Sequence, residues 1–185
     1  MKKLILIAVV FLWSSVPSVA EVTLSQVFSE SDGMNRMLAA IETSTHMTTA
    51  YTGVKAISQE VMTAMAKVDR AQFVPEHSVH DAFENQPLRI GYGQTISQPF
   101  IVALMLHLLQ LQPDDRVLEV GTGSGYHAAV TAELAAHVHT VEIIPELARS
   151  ADRRLKSLGY MNISVRTGDG WYGWPEEAPF DGILI

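Results

Sequence analysis

Ten residues limit the fold more than any other part of the chain: Val117-Leu118-Glu119-Val120-Gly121-Thr122-Gly123-Ser124-Gly125-Tyr126. A short apolar strand pattern carrying one acid leads into glycines at every second position, and an alanine-rich helical pattern follows from Tyr126. Glycines so spaced let the backbone turn sharply at a strand end and approach a ligand with no side chain between them. The strand is read over Arg116 to Val120, the turn over Gly121 to Gly125, a helix over Tyr126 to Ala136 and a second strand over His139 to Ile143. A helix over Pro145 to Leu158, a third strand over Ile163 to Thr167 and a fourth over Phe180 to Ile185 continue the alternation. Strands and helices in alternation predict an α/β fold, a parallel sheet covered by helices.

Upstream, Val61, Met62, Met65 and Val68 recur at helical spacing in a helix that stops before Pro75, and Phe100 to Leu111 repeats that pattern. Between them, Pro87 to Pro99 reads as a structured loop. Residues 21–57 form a polar extension with an amphipathic helix around Met34 to Ile41. At the start, Lys2 and Lys3, an apolar run from Leu4 to Trp13 and small residues to Ser18-Val19-Ala20 have the layout of a signal peptide, residues 1–20. It is too short to span a bilayer stably. The expected location is the periplasm or outside the cell, with the cytoplasm as the alternative, and no stable membrane insertion after cleavage. The fold domain is read over residues 58–185; because the text stops at Ile185 inside a buried strand, the sheet is expected to lack its C-terminal strands.

Composition excludes some classes. With 48% hydrophobic and 18% charged residues, the 185-residue chain is neither disordered nor a multi-span membrane protein. A net charge of -7 argues against a nucleic-acid partner. There is no cysteine for a thiol nucleophile or a disulfide.

The turn's chemistry is that of a nucleoside cofactor. Glu142 ends the second strand 21 positions after Gly121, where a carboxylate reaches a ribose hydroxyl pair. A dinucleotide fingerprint places a glycine where Tyr126 stands, so the spacing suits S-adenosyl-L-methionine better than NAD. Candidate cofactor-binding residues are Glu119, Gly121, Thr122, Gly123, Ser124, Gly125, Glu142, Asp169 and Gly170. The last two belong to Thr167-Gly168-Asp169-Gly170, at the carboxyl end of the third strand, where Asp169 would take an adenine amino group. Gly91 to Pro99 packs hydroxyls, amides and free N–H groups ahead of a helix, a nest for a carboxylate. No metal is expected: His77 with His80, and His137 with His139, lack a third ligand and are read as surface histidines. Trp171 and Trp174 either cover the pocket or pack beneath a loop. Met62 and Met65 are core.

Gly93-Gln94-Thr95-Ile96-Ser97-Gln98-Pro99, Val117 to Tyr126, Gly168-Asp169-Gly170, and Gly173-Trp174-Pro175 through Phe180-Asp181, in this order and spacing, closely resemble the protein-L-isoaspartate O-methyltransferase family. The resemblance runs from about Ser58 to the end. It implies a Rossmann-like class I methyltransferase sheet of seven strands preceded by the helical extension, S-adenosyl-L-methionine as donor, and methylation of the free carboxylate of isoaspartyl residues in damaged proteins. By the same resemblance Ser97 falls on the active-site serine, with Thr95 beside it in the acceptor loop. Where the family usually shows Ala-Tyr-x-Asp, this chain has Ala82-Phe83-Glu84-Asn85, and His127 replaces a common glutamine. A carboxylate with an ordinary pKa near 4 is ionised at neutral pH and needs no general base. The protein must supply alignment. A cofactor-binding module without turnover and a nicotinamide oxidoreductase are the competing classes. The expected partners are isoaspartyl proteins or peptides, and the expected state is a monomer.

Overall fold

A computed structural model describes residues 24–185; the expected leader, residues 1–20, lies outside them. The chain runs through α1 (Leu24–Thr52), α2 (Gln59–Lys67), a hairpin of β1 (Leu88–Gly91) and β2 (Gln94–Ile96), then α3 (Pro99–Leu109). The alternating half follows: β3 (Arg116–Val120), α4 (Tyr126–Ala132), β4 (His137–Glu142), α5 (Pro145–Ser157), β5 (Ile163–Thr167) and β6 (Gly182–Leu184). Four strands form one parallel sheet in the order β5-β4-β3-β6. From β3 the chain adds β4 and β5 on one side and β6 on the other. The order therefore reverses at β3, and a crevice opens outside its carboxyl end, where open parallel sheets bind ligands.

The strands read from sequence agree with the structure within a few residues. The helix after the glycine turn is shorter than expected, ending at Ala132 rather than Ala136. The Asn162 side chain donates to the carbonyls of Ala132 (2.9 Å) and Ala135 (3.4 Å), taking up helix-end acceptors. β4 accordingly starts at His137, paired with Arg116.

The extension is a 29-residue helix of which the Met34 to Ile41 pattern is only part. Met37 and Ile41 are fully buried, in the same core as Val61, Met65, Val102 and Leu106. Gly33 sits so near the Phe83 ring that a Cβ there would lie 2.6 Å from it. Pro87 to Pro99, expected as a loop, contains the β1–β2 hairpin. Its turn, Gly91-Tyr92-Gly93, uses three consecutive left-handed residues, with φ of 92°, 52° and 74°, and the tyrosine in the middle hides the turn from a reading by residue type.

His139 is a correction. It is buried, not a surface residue, because it points from β4 into a cover made by Trp174 and Phe180, with ring centroids at 5.3 and 5.5 Å. His137 and His139 stack at 4.5 Å, and burial holds both imidazoles below their ordinary pKa.

Candidate functional site

The turn after β3 is built from backbone. Gly121, Gly123 and Gly125 have φ of 98°, 54° and 89°, the left-handed region that L side chains avoid. At Gly125 a side chain would also collide with α5, since its Cβ would stand 3.2 Å from Leu155. Gly121 faces open space. Glu142, buried at the end of β4, accepts from the Gly123 N–H (2.8 Å) with one oxygen and from the Ile144 N–H (2.9 Å) with the other. The acid thus pins the turn from behind; neither Glu142 nor Gly125 is among the residues that line the crevice described below.

Behind the turn runs a chain of hydroxyls to a second acid. Thr122 and Thr140 hydroxyls lie 2.7 Å apart, and Thr140 donates to Glu119 at 2.5 Å. Burial pushes the Glu119 carboxyl up to about 8, against the Thr140 hydrogen bond and helped by the charge of Glu142. His127, in the first turn of α4, has Nδ1 3.9 Å from Glu119, and burial pushes it down to about 4, so the ring is neutral. Its Nε2 is buried with no hydrogen-bond partner. Ser124 is buried, and its carbonyl accepts from Arg154 of α5 at 2.9 Å.

Thr95, Ser97, Glu119, Gly121 to Ser124 and His127 line one crevice. Acceptor loop and glycine turn, 24 positions apart from Ser97 to Gly121, face each other across it. A larger concavity lies between α2, α3 and the start of β3, near Ser58, His107 and Pro113. It is at the amino ends of the strands, where this architecture does not hold ligands, so the smaller crevice is the candidate site.

Asp169 and Gly170 stand at the end of β5 rather than in the crevice wall. Asp169 is exposed, and its Oδ1 accepts from the Trp171 N–H (2.9 Å), capping a single 3-10 turn. Gly170 is a packing requirement: a Cβ there would lie 2.2 Å from Cγ1 of Val120. Trp171 is 89% exposed, whereas Trp174 lies between His139 and the Arg166 guanidinium. Among the described residues no group of three His, Asp or Glu could hold a metal.

One residue near the site, Arg70, was not singled out from sequence, and another, Asn85, was flagged only as a departure from the family pattern. Arg70 is fully buried and donates to the Ser97 carbonyl at 3.0 Å. Its sequence signal is weak, a cation between Val68 and Phe73 with Asp69 and Gln72 in the same stretch. Asn85 accepts from the Phe100 N–H (3.0 Å) at the start of α3 and donates to Ser44 Oγ (2.9 Å) on α1. Contacts over such separations leave no local pattern.

The model of the protein-L-isoaspartate(D-aspartate) O-methyltransferase family matches residues 43–185. Protein-L-isoaspartate O-methyltransferase 2 of Nitrosococcus oceani is 52% identical over 149 residues, 80% of this chain and 68% of its own length. Its namesake from Syntrophobacter fumaroxidans is 53% identical over 81% of this chain and 61% of its own. A solved protein-L-isoaspartate O-methyltransferase superposes with a TM-score of 0.70 at 28% identity, over 82% of this chain and 47% of that one. A putative one from Plasmodium falciparum, in complex with S-adenosyl-L-homocysteine, shares the fold at a TM-score of 0.63 and 22% identity. The chain thus spans about half to seven tenths of the length of these proteins. It belongs to the protein-L-isoaspartate(D-aspartate) O-methyltransferase family.

Proposed function

We propose that this chain binds S-adenosyl-L-methionine in the crevice at β3 and methylates the free carboxylate of isoaspartyl residues in proteins. One observation carries this reading: the hydroxyls of Thr95 and Ser97 share a crevice with the glycine turn and Glu119. The residues present fit the cofactor. Gly121 offers open backbone, Glu142 closes the turn, a buried acid with an upshifted pKa awaits a cation, and His127 Nε2 is a buried polar atom with no partner. When bound, the cofactor supplies a methyl group on a cationic sulfur.

The acceptor is already a nucleophile, since an ordinary carboxylate is ionised at neutral pH. No residue need remove a proton, and the neutral His127 beside a protonated Glu119 is poorly placed to do so. The protein's contribution is orientation. Ser97, exposed at the crevice rim, offers its hydroxyl to one oxygen of the acceptor carboxylate, leaving the other oxygen aimed at the methyl carbon. Glycine at 121, 123 and 125 leaves those positions of the turn without side chains on the approach line. The test is methyl incorporation from S-adenosyl-L-methionine into an isoaspartyl peptide and its normal aspartyl isomer. Base-labile label in the first alone supports the reading, and no label in either overturns it.

A further inference from the structure

Arg70 is the largest fully buried side chain among the described residues, and no carboxylate among them pairs with it. Its guanidinium donates instead to three backbone carbonyls: Ala82, Gln86 at 3.1 Å and Ser97 at 3.0 Å. Its Nε is buried without a partner. Its Cζ lies over the ring of Tyr126, 5.6 Å from the centroid, and Tyr126 is the first residue of α4, directly after Gly125. Tyr126 is held in turn by the edge of Phe73 at 5.6 Å. Burial lowers the Arg70 pKa only to about 10, so the group stays charged at neutral pH.

A buried cation without a counter-ion is an expensive way to fill a core. What it provides here is a set of directions. One planar group joins the acceptor loop, through the Ser97 and Gln86 carbonyls, to the helix that begins at the cofactor turn. Lysine has the charge but neither the plane nor the fork of donors. We propose that Arg70 is a positioning residue for methyl transfer, setting the distance and angle between the acceptor loop and the glycine turn; the proposal rests on the methyltransferase reading above.

The test is Arg70→Lys in the full chain, with three readouts. Steady-state kinetics should show kcat for the isoaspartyl peptide reduced about 100-fold, the scale of a misplacement near 1 Å, with KM for S-adenosyl-L-methionine unchanged. Calorimetric titration with S-adenosyl-L-homocysteine should give wild-type affinity. Hydrogen exchange should quicken in residues 82–98 while β3, β4 and β5 keep their protection. Unchanged kcat, or kcat and cofactor affinity falling together, would overturn the proposal. If the wild-type chain binds S-adenosyl-L-homocysteine but transfers no methyl group, the functional reading fails and the exchange data decide: quickening confined to 82–98 supports Arg70 as the group that positions the loop, and none, or quickening everywhere, refutes it. If Arg70→Lys does not fold, the Nη resonances of Arg70 in the wild type decide instead. Separate, slowly rotating Nη signals support the positioning role and averaged ones refute it.

Discussion

The two walls of the crevice are built in opposite ways. The glycine turn is made within one strand-turn-helix unit, and the acid that closes it, Glu142, arrives on the next strand through a regular parallel ladder. The acceptor loop carries its hydroxyls on an exposed hairpin and is held from behind by Arg70, 27 positions away, and by Asn85 with α1, 41 positions further back. The first wall is rigid because few other backbones fit its dihedral angles. The second is rigid only while distant partners stay in place. Changes to the turn should therefore act on folding and cofactor affinity together, and changes to the loop on turnover.

The largest effect expected is at the turn. Gly125→Ala meets both a φ of 89° and a Cβ 3.2 Å from Leu155, so it should lower stability by about 2–4 kcal/mol and weaken cofactor binding with it. Denaturant unfolding and calorimetric titration measure the two; a variant with normal stability would show that the turn is not the rigid wall. Ser97→Ala tests the other wall. Turnover should fall about 100-fold with cofactor affinity unchanged, as expected for loss of alignment. Equal losses in both quantities would erase the distinction between the walls.

The same contrast explains what could be read beforehand. The sheet, the glycine turn and Glu142 follow from residue type at fixed spacing, since a parallel unit encodes its own geometry. Gly170 was readable as a special position but not for its reason, because its contact with Val120 joins two strand ends 50 positions apart. His139 looked like a surface residue because its cover, Trp174 and Phe180, comes from a loop without periodicity. Arg70 was missed, and Asn85 was readable only as a departure at a position that holds the acceptor loop, because the partners of both lie on remote segments. No residue pattern records which carbonyl lies opposite.

A smaller effect should come from the brace of the acceptor wall. Phe83 and Asn85, the two departures within residues 82–85, are the ones that meet α1, through Gly33 and Ser44. Asn85→Ala removes a donor to α1 and an acceptor for the Phe100 N–H, and should cost about 1–2 kcal/mol, with turnover falling more than cofactor affinity. Asn85→Asp keeps the acceptor and should fall between. Stability equal to wild type in the alanine variant would show that α1 does not brace the loop.

The last effect is graded in pH rather than set by one substitution, and it too separates the walls. Glu119, on the turn side, is pushed up to about 8 by burial, while a glutamate in the unfolded chain titrates near 4.5. Between those values the folded protein holds a proton that the unfolded chain has lost, so stability falls as pH rises through this window, by at most about 1.4 kcal/mol per pH unit. Below the unfolded value the loss vanishes, and above about 8 it is complete. A cationic ligand at the crevice reverses the preference, because it favours the ionised carboxylate and must expel the proton to gain it. Affinity for S-adenosyl-L-methionine should therefore rise towards pH 8, by at most about tenfold per unit, while turnover at saturation stays flat, since the acceptor wall depends on hydroxyls and an arginine that do not titrate there. Glu119→Gln should remove both slopes. Titrations at pH 6, 7 and 8 in wild type and variant decide it: a wild-type affinity independent of pH, or a slope that survives in Glu119→Gln, would place the titrating group elsewhere.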